Sequence, residues 1–234
     1  MPSRRSKKRS LTYEPLSLTS KSTKKIISEY HKSLKETLET PNPETLKIYQ
    51  TASQLGQSKT RGGDSSKILL KWIESRDLKI LEVGSLSTTN AIAKLGTVER
   101  IDLNPTSKEI KKQDFMQRPI DGFKFDLLSL SLVLNFLPSA VERGAMLRQT
   151  TNFLSTNGLL FLVLPSACTG NSRYLDQKRL EDIMNILGYE IVEFKIAKKV
   201  AYWLWKFCGR VNGATAEKKI VREGGAKNNF CIVL

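Results

Sequence analysis

The chain has 234 residues, 40% of them hydrophobic and 26% charged, which is enough apolar material for one sizeable buried core. A formal net charge of +15 and a pI near 9.8 point to an acidic partner, and no apolar run approaches the ~20 residues that a membrane span needs. The cysteines Cys168, Cys208 and Cys231 are scattered and lack CxxC spacing, indicating neither a disulfide framework nor a metal site.

The charge is not spread evenly. Residues 1–35 carry a net +8 and residues 195–234 a net +7, whereas Glu36 to Phe194 holds 19 basic and 19 acidic side chains. A neutral body with two basic ends suits a core that docks on a polyanion through its extremities; a solvated tail plus a basic strand face is the plainer alternative.

In chain order, residues 1–21 form a basic, flexible tail whose RRSKKR run reads as a nuclear or nucleic-acid-binding patch. Residues 22–76 are expected to form a helical region. Ile26, Ile27, Tyr30, Leu34 and Leu38 recur at helical spacing, Pro41 and Pro43 end that helix, and a second runs through Leu46, Tyr49, Ala52 and Leu55 to Gly56. Gly62 and Gly63 then break the chain, and Asp64 reads as the N-cap of a helix bearing Ile68, Leu69, Trp72 and Ile73.

From residue 77 to 234 the rhythm changes. Strands are expected at Leu78–Val83, Val98–Leu103, Phe125–Ser131, Gly158–Leu164 and Tyr189–Ile196, with helices after Thr88, over Ser139–Leu154 and over Asp176–Leu187. This alternation predicts an α/β fold, a Rossmann-like, doubly wound and mostly parallel sheet, with the N-terminal helical region as an extension. Ala201–Cys208 and Phe230–Leu234 are expected to add an antiparallel edge.

Ligands of such sheets bind where the first strand ends, here at LEVGSLSTTN. Gly84 permits the sharp turn. The further glycines that a pyrophosphate would demand are absent, which turns the expectation toward S-adenosylmethionine, a cofactor without phosphate. Asp102 follows 18 residues later at the end of the next strand, close to the spacing at which an acid bonds a ribose diol. Glu82 and Ser85 flank the glycine, Leu103 follows the acid, and Asp114 with Phe115 lies where an adenine contact is expected.

With the strand FDLLSLSLVLNFLP and the later TNGLLFLVLP, residues 78–194 resemble class I S-adenosylmethionine-dependent methyltransferases. YQTASQLGQSKTRGGDSSKILLKWI, LEVGSLSTTN, IDLN and VLNFLP together resemble the fungal 25S ribosomal RNA adenine-N(1)-methyltransferase family, which has an animal relative that senses S-adenosylmethionine. The resemblance implies that Gly84 and Asp102 bind the cofactor and that the substrate is 25S rRNA; a monomeric enzyme acting on pre-60S particles in the nucleus and nucleolus is the accompanying expectation.

Methylation of adenine N1 needs alignment rather than a general base, because the ring nitrogen already offers a lone pair. This suits a chain whose single histidine, His31, lies in the helical region. Candidates for reading the target base are Ser129, Ser131 and Asn135; strand-end backbone bonding is the competing role for the serines. LNFLP lacks the Asp/Asn-Pro-Pro-aromatic pattern of exocyclic-amine methylation. Arg61 is a candidate contact to the cofactor carboxylate or an RNA phosphate, and Tyr202, Trp203 and Trp205 beside Lys198, Lys199 and Lys206 could stack bases or simply form a hydrophobic sheet edge. The alternative functions are a non-catalytic S-adenosylmethionine sensor acting on a protein partner, which has no need of basic ends, and a small-molecule methyltransferase, which leaves them unexplained.

Overall fold

The computed structural model describes residues 63–105 and 107–234, together with Ile26 and Ile48, both helical. Expectations about the basic tail, the two upstream helices, His31 and Arg61 otherwise fall outside the described residues.

Asp64–Leu234 is built around a seven-stranded sheet: β1 Leu78–Val83, β2 Gly96–Asp102, β3 Lys111–Lys112, β4 Phe125–Ser131, β5 Leu154–Pro165, β6 Tyr189–Ile196 and β7 Val200–Phe207. The spatial order is β3-β2-β1-β4-β5-β7-β6. Neighbours from β3 through β5 are parallel, and β7 runs antiparallel to both β5 and β6. Strand order therefore reverses between β1 and β4.

Alternating side chains fill two layers, as the pleat requires. Leu81, Leu128, Leu130, Leu160, Leu162, Trp203 and Trp205 face one way, against helices Ala140–Thr151 and Gln177–Ile186. Ile80, Leu127, Phe161, Val163 and Leu204 face the other, against Leu69 and Ile73 on one segment and Ile92 and Leu95 on another. β4 is buried on both faces, hence its nearly unbroken apolar sequence.

Both long helices start at side-chain caps. Ser139 and Glu142 form a reciprocal capping box, and the Asp176 carboxylate accepts from the Arg179 amide at 2.8 Å. The helix expected after Thr88 is a single 3-10 turn, Ala91–Lys94.

The C-terminal expectation needs correction. β7 is antiparallel but lies inside the sheet, and Phe230–Leu234 adds no strand. The Val233 amide donates to Ala140 O, and Leu234 and Ala216 exchange main-chain bonds, so the segment is held against the start of helix Ala140–Thr151. Gly144 permits this approach, since a Cβ there would lie 1.7 Å from Val233 O. Trp203 and Trp205 are fully buried, which removes them as base-stacking surfaces. Trp203 instead donates its indole N–H to Gln177 Oε1.

Candidate cofactor and acceptor site

Parallel pairing brings the carboxyl ends of four strands to one edge. Val83 sits opposite Ile101 on one side and Leu130 on the other, and Ser131 sits opposite Val163. The loops after β1, β2 and β4 thus meet at the strand-order reversal, where open α/β sheets place their ligands.

Gly84 is required twice. Its φ is +70°, a left-handed conformation that costs an ordinary residue about 1–2 kcal/mol, and a Cβ would lie 2.6 Å from Val133 Cγ2 in the loop after β4. The amides of Gly84 and Ser85 both donate to Ile101 O, which folds the chain over the end of β2.

Beneath this turn, the buried Glu82 carboxylate organises the loop. It accepts from Asn90 Nδ2 at 2.7 Å and Ser85 Oγ at 3.1 Å, with Arg100 Nε 3.2 Å away. Burial pushes its pKa up, while the two hydrogen bonds and the Arg100 charge pull it back. Glu82 and Ser85, expected to bind cofactor, bond to each other here, and Glu82 also bonds Asn90.

The GDSS turn extends the same construction. Asp64 caps its own helical turn by accepting from Ser66 N at 2.8 Å, as the sequence predicts. Its other carboxylate oxygen accepts from Ala91 N, and Ser66 Oγ accepts from Ile92 N. One turn thereby caps two helical starts, the second 26–27 residues downstream. Ser65 and Ser131 share a 2.7 Å hydroxyl bond, joining this turn to the end of β4. Gly63 has φ +73°; Arg61 and Gly62 are outside the described residues.

Asp102 ends β2 half-buried, with Oδ1 accepting from the Asn104 amide at 2.7 Å. Burial raises its pKa, and that hydrogen bond opposes the rise. Leu103 beside it is 57% exposed, a large apolar surface open to solvent at the strand end. Asp114 caps the 3-10 turn Phe115–Gln117 through Met116 N. The Phe115 ring is buried against Phe153, 5.5 Å between centroids, and is not open to a ligand.

On β4, Ser129 lies opposite Glu82 and is buried. Ser131 is committed to Ser65, whereas Asn135 Oδ1 is buried with no hydrogen-bond partner among the described residues. Leu132, at the start of the loop, adopts φ +58°, a strained conformation for a branched apolar residue. The helix that follows the loop buries Arg143, whose guanidinium is bonded to main-chain carbonyls. It donates to Leu137 O at 2.8 Å, Pro138 O at 3.3 Å and Cys231 O at 2.8 Å, and lies 4.5 Å from the Phe230 ring centroid.

Sequence reasoning therefore missed Asn90, Arg100, Leu132 and Arg143. Asn90 had a weak signal as a helix-start residue after a hydroxyl run; the other three had none. A hollow of about 250 Å³ lined by Ile73, Leu78, Asp126 and Gly158 opens at the opposite edge and contains none of the candidate residues.

The strand order, the reversed β7 and the turn at the end of β1 beside the end of β2 are those of the class I methyltransferase fold. Solved structures agree: a TehB-like S-adenosylmethionine-dependent methyltransferase from Corynebacterium glutamicum superposes with a TM-score of 0.53 at 16% identity, covering 70% of this chain and 98% of that one. An Aquifex aeolicus S-adenosylmethionine-dependent methyltransferase gives 0.50 at 12% identity, covering 72% and 100%. The family model described as Bmt2, 25S rRNA (adenine(2142)-N(1))-methyltransferase, matches residues 34–232, and the chain belongs to that family. A Schizosaccharomyces pombe protein named 25S rRNA adenine-N(1) methyltransferase is 41% identical over 79% of this chain and 75% of its own length. The 25S rRNA (adenine(2142)-N(1))-methyltransferase of Saccharomyces cerevisiae is 41% identical over 81% of this chain, which spans 60% of that relative.

Proposed function

We propose that this chain transfers a methyl group from S-adenosylmethionine to N1 of an adenine in 25S, large-subunit ribosomal RNA. The observation that carries the reading is the family match over residues 34–232, which includes the Gly84 turn and the Asp102 strand end at one edge of the sheet. The residues fit the cofactor. Gly84 turns the chain at φ +70° with no side chain at the bend, Asp102 offers a carboxylate to a ribose diol, and Leu103 offers an apolar face to an adenine ring.

In this reading Asp102 holds the ribose hydroxyls, Leu103 and the main chain at Asp114–Phe115 bound the adenine, and Gly84 lets the backbone approach. S-adenosylmethionine, when bound, supplies a methyl group on a sulfonium. The rest is alignment: the loop Leu132–Leu137 brings the target base to the cofactor edge, and Asn135 Oδ1 is suited to accept from the exocyclic amine of the adenine. That bond leaves N1 unprotonated and free to attack. Ser129 and Ser131 support the loop from below. Arg61 remains a proposed contact to the cofactor carboxylate or to an RNA phosphate. We extend the reading to a monomeric enzyme acting on pre-60S particles in the nucleus and nucleolus.

The test is transfer of labelled methyl from S-adenosylmethionine to 25S rRNA lacking the modification, followed by nucleoside mass spectrometry. The expected product is 1-methyladenosine, absent with the Gly84→Arg chain. Cofactor binding without any RNA product would overturn the enzyme reading and favour the sensor.

A further inference from the structure

The positive charge near the C-terminus is not left as a tail. After β7 reaches the amino edge of the sheet, the chain passes outside helix Gln177–Ile186, where Asn212 N donates to Ile186 O and Arg179 donates to Glu217 O. It then returns to the carboxyl edge. There it is fastened to the segment following β5: Val221 and Arg222 amides donate to Arg173 O, Arg173 N donates to Asn228 O, Asn228 N donates to Asn171 O, and Ser172 Oγ donates to Phe230 O. The turn between β6 and β7 meets the same segment, since Ser166 N and Oγ donate to the carbonyls of Lys199 and Lys198.

Five cations are thereby gathered beside the end of β5, the strand next to the loop carrying Asn135. Lys198, Lys199 and Lys218 are exposed; Arg173 and Lys227 are half-buried. Lys218 Nζ and the Arg173 guanidinium lie 4.3 and 6.0 Å from the Tyr174 ring centroid, and Lys227 donates to Asn171 Oδ1. Among the described residues none of the five is in an ion pair; those present are Arg100–Glu82, Arg118–Glu99 and Lys178–Asp182. Clustered cations without counter-charge repel one another and weaken a fold unless an anion joins them. Here the main chain rigidly holds them on the edge where the substrate must enter.

We propose that Lys198, Lys199, Lys218 and Lys227, with Arg173 behind them, form a docking track for the phosphates of unpaired RNA leading to the acceptor loop. The proposal rests on the RNA-methylating reading and deepens it by naming the surface. It differs from a diffuse charge effect in being confined to one edge. Lys206 and Arg210, which belong to the same basic stretch of sequence, lie toward the other edge and take no part: Lys206 sits opposite Glu190 across the β6–β7 pair.

The experiment measures binding of an unmodified 25S rRNA transcript to the full chain over a salt series, with cofactor binding in parallel. Lys198, Lys199, Lys218 and Lys227 are changed together to Ala; Arg173 is kept because it also bonds Asn229 Oδ1 and Gly224 O. The expected result is unchanged cofactor affinity, RNA affinity reduced at least tenfold at low salt, and a salt slope shallower by about 0.7 for each RNA phosphate that the variant no longer neutralises. The pair Lys198→Glu and Lys199→Glu, confined to a surface turn, should show the same direction should the quadruple change disturb folding. Lys206→Ala with Arg210→Ala should leave RNA binding as it was. An unaltered slope in both edge variants, or an equal loss in the control, overturns the proposal. An enzyme that binds RNA through this track but never methylates it would sink the proposed activity and leave the surface standing.

Discussion

The loops after β1 and β4 leave the sheet side by side and touch at Gly84 and Val133, yet they are held in different ways. The β1 loop is closed by polar side-chain bonds from residues that precede it: Glu82 reaches Ser85 and Asn90, three and eight residues away, and Asp64 and Ser66 reach Ala91 and Ile92, 27 and 26 residues away. The β4 loop is tied by Arg143 to Cys231, 88 residues on, against a segment without regular structure. The β1 loop is thus fastened from upstream by the GDSS turn, whereas the β4 loop is fastened from the C-terminal segment. Cofactor binding and acceptor alignment should therefore be separable by mutation.

The largest effect is expected at Gly84. Gly84→Arg must adopt a left-handed φ and displace Val133, so calorimetry should detect no cofactor binding and no methyl should be transferred. Arg143→Met sharpens the contrast by leaving three carbonyl groups without their donor. Denaturant unfolding should show a loss of about 2–4 kcal/mol, with cofactor affinity nearly intact and the RNA KM raised. If cofactor affinity and RNA affinity fell together, the two loops would be one unit and the comparison would fail.

Asp102→Asn keeps the shape and the Asn104 contact but removes the charge. Cofactor affinity should drop about 10- to 100-fold, since a hydrogen bond to a charged group is worth roughly 1.5–3 kcal/mol. Because burial raises the Asp102 pKa, protonation begins at a higher pH than the ordinary 3.8 would allow. Wild-type cofactor affinity should accordingly decline as pH falls toward that value from above, and the asparagine variant should show no such decline. For folding the sign is opposite: the native state holds this proton more tightly than the unfolded chain, so Asp102 makes the fold gain stability on acidification through the same window.

The smallest change is expected for Ser131→Ala, about 0.5–1.5 kcal/mol from removal of the Ser65 bond, read by thermal unfolding. Methyl transfer that survives this substitution would make Ser131 a strut between the GDSS turn and β4; its loss with intact cofactor binding would return Ser131 to the base-reading groups.

The same contrast explains what was legible in the sequence. β1, β4 and β6 have the expected bounds because β1 and β4 are largely apolar stretches and β6 alternates polar with apolar residues. β5 begins four residues before the expected Gly158, since the polar Ser155-Thr156-Asn157 hides its start and Asn157 adopts φ +67°. The Gly84 turn and the Asp64 cap on Ser66 were readable because each is set by its immediate neighbours in sequence. Arg143 was not, because an arginine four residues into an amphipathic helix looks like any solvated cation until its carbonyl partners arrive from elsewhere. The alternation in Phe230–Leu234 resembles a strand, but its main-chain bonds go to Ala140 and Ala216 rather than to a sheet neighbour.

The reversed strand also bears on how the chain is made. β5 is complete at Pro165, yet its outer edge is filled by Val200–Phe207, about 40 residues later, which at typical rates is roughly 2–8 s of synthesis. During that interval Leu160–Leu164 presents an unpaired, wholly apolar edge of the kind on which other chains can add. A nascent chain arrested between β6 and β7 should therefore be more prone to aggregate than one arrested after Phe207. In the finished protein the edge on this side of the sheet is β6, where Glu193 and Lys195 alternate with Phe194 and Ile196 and charge guards against the same hazard.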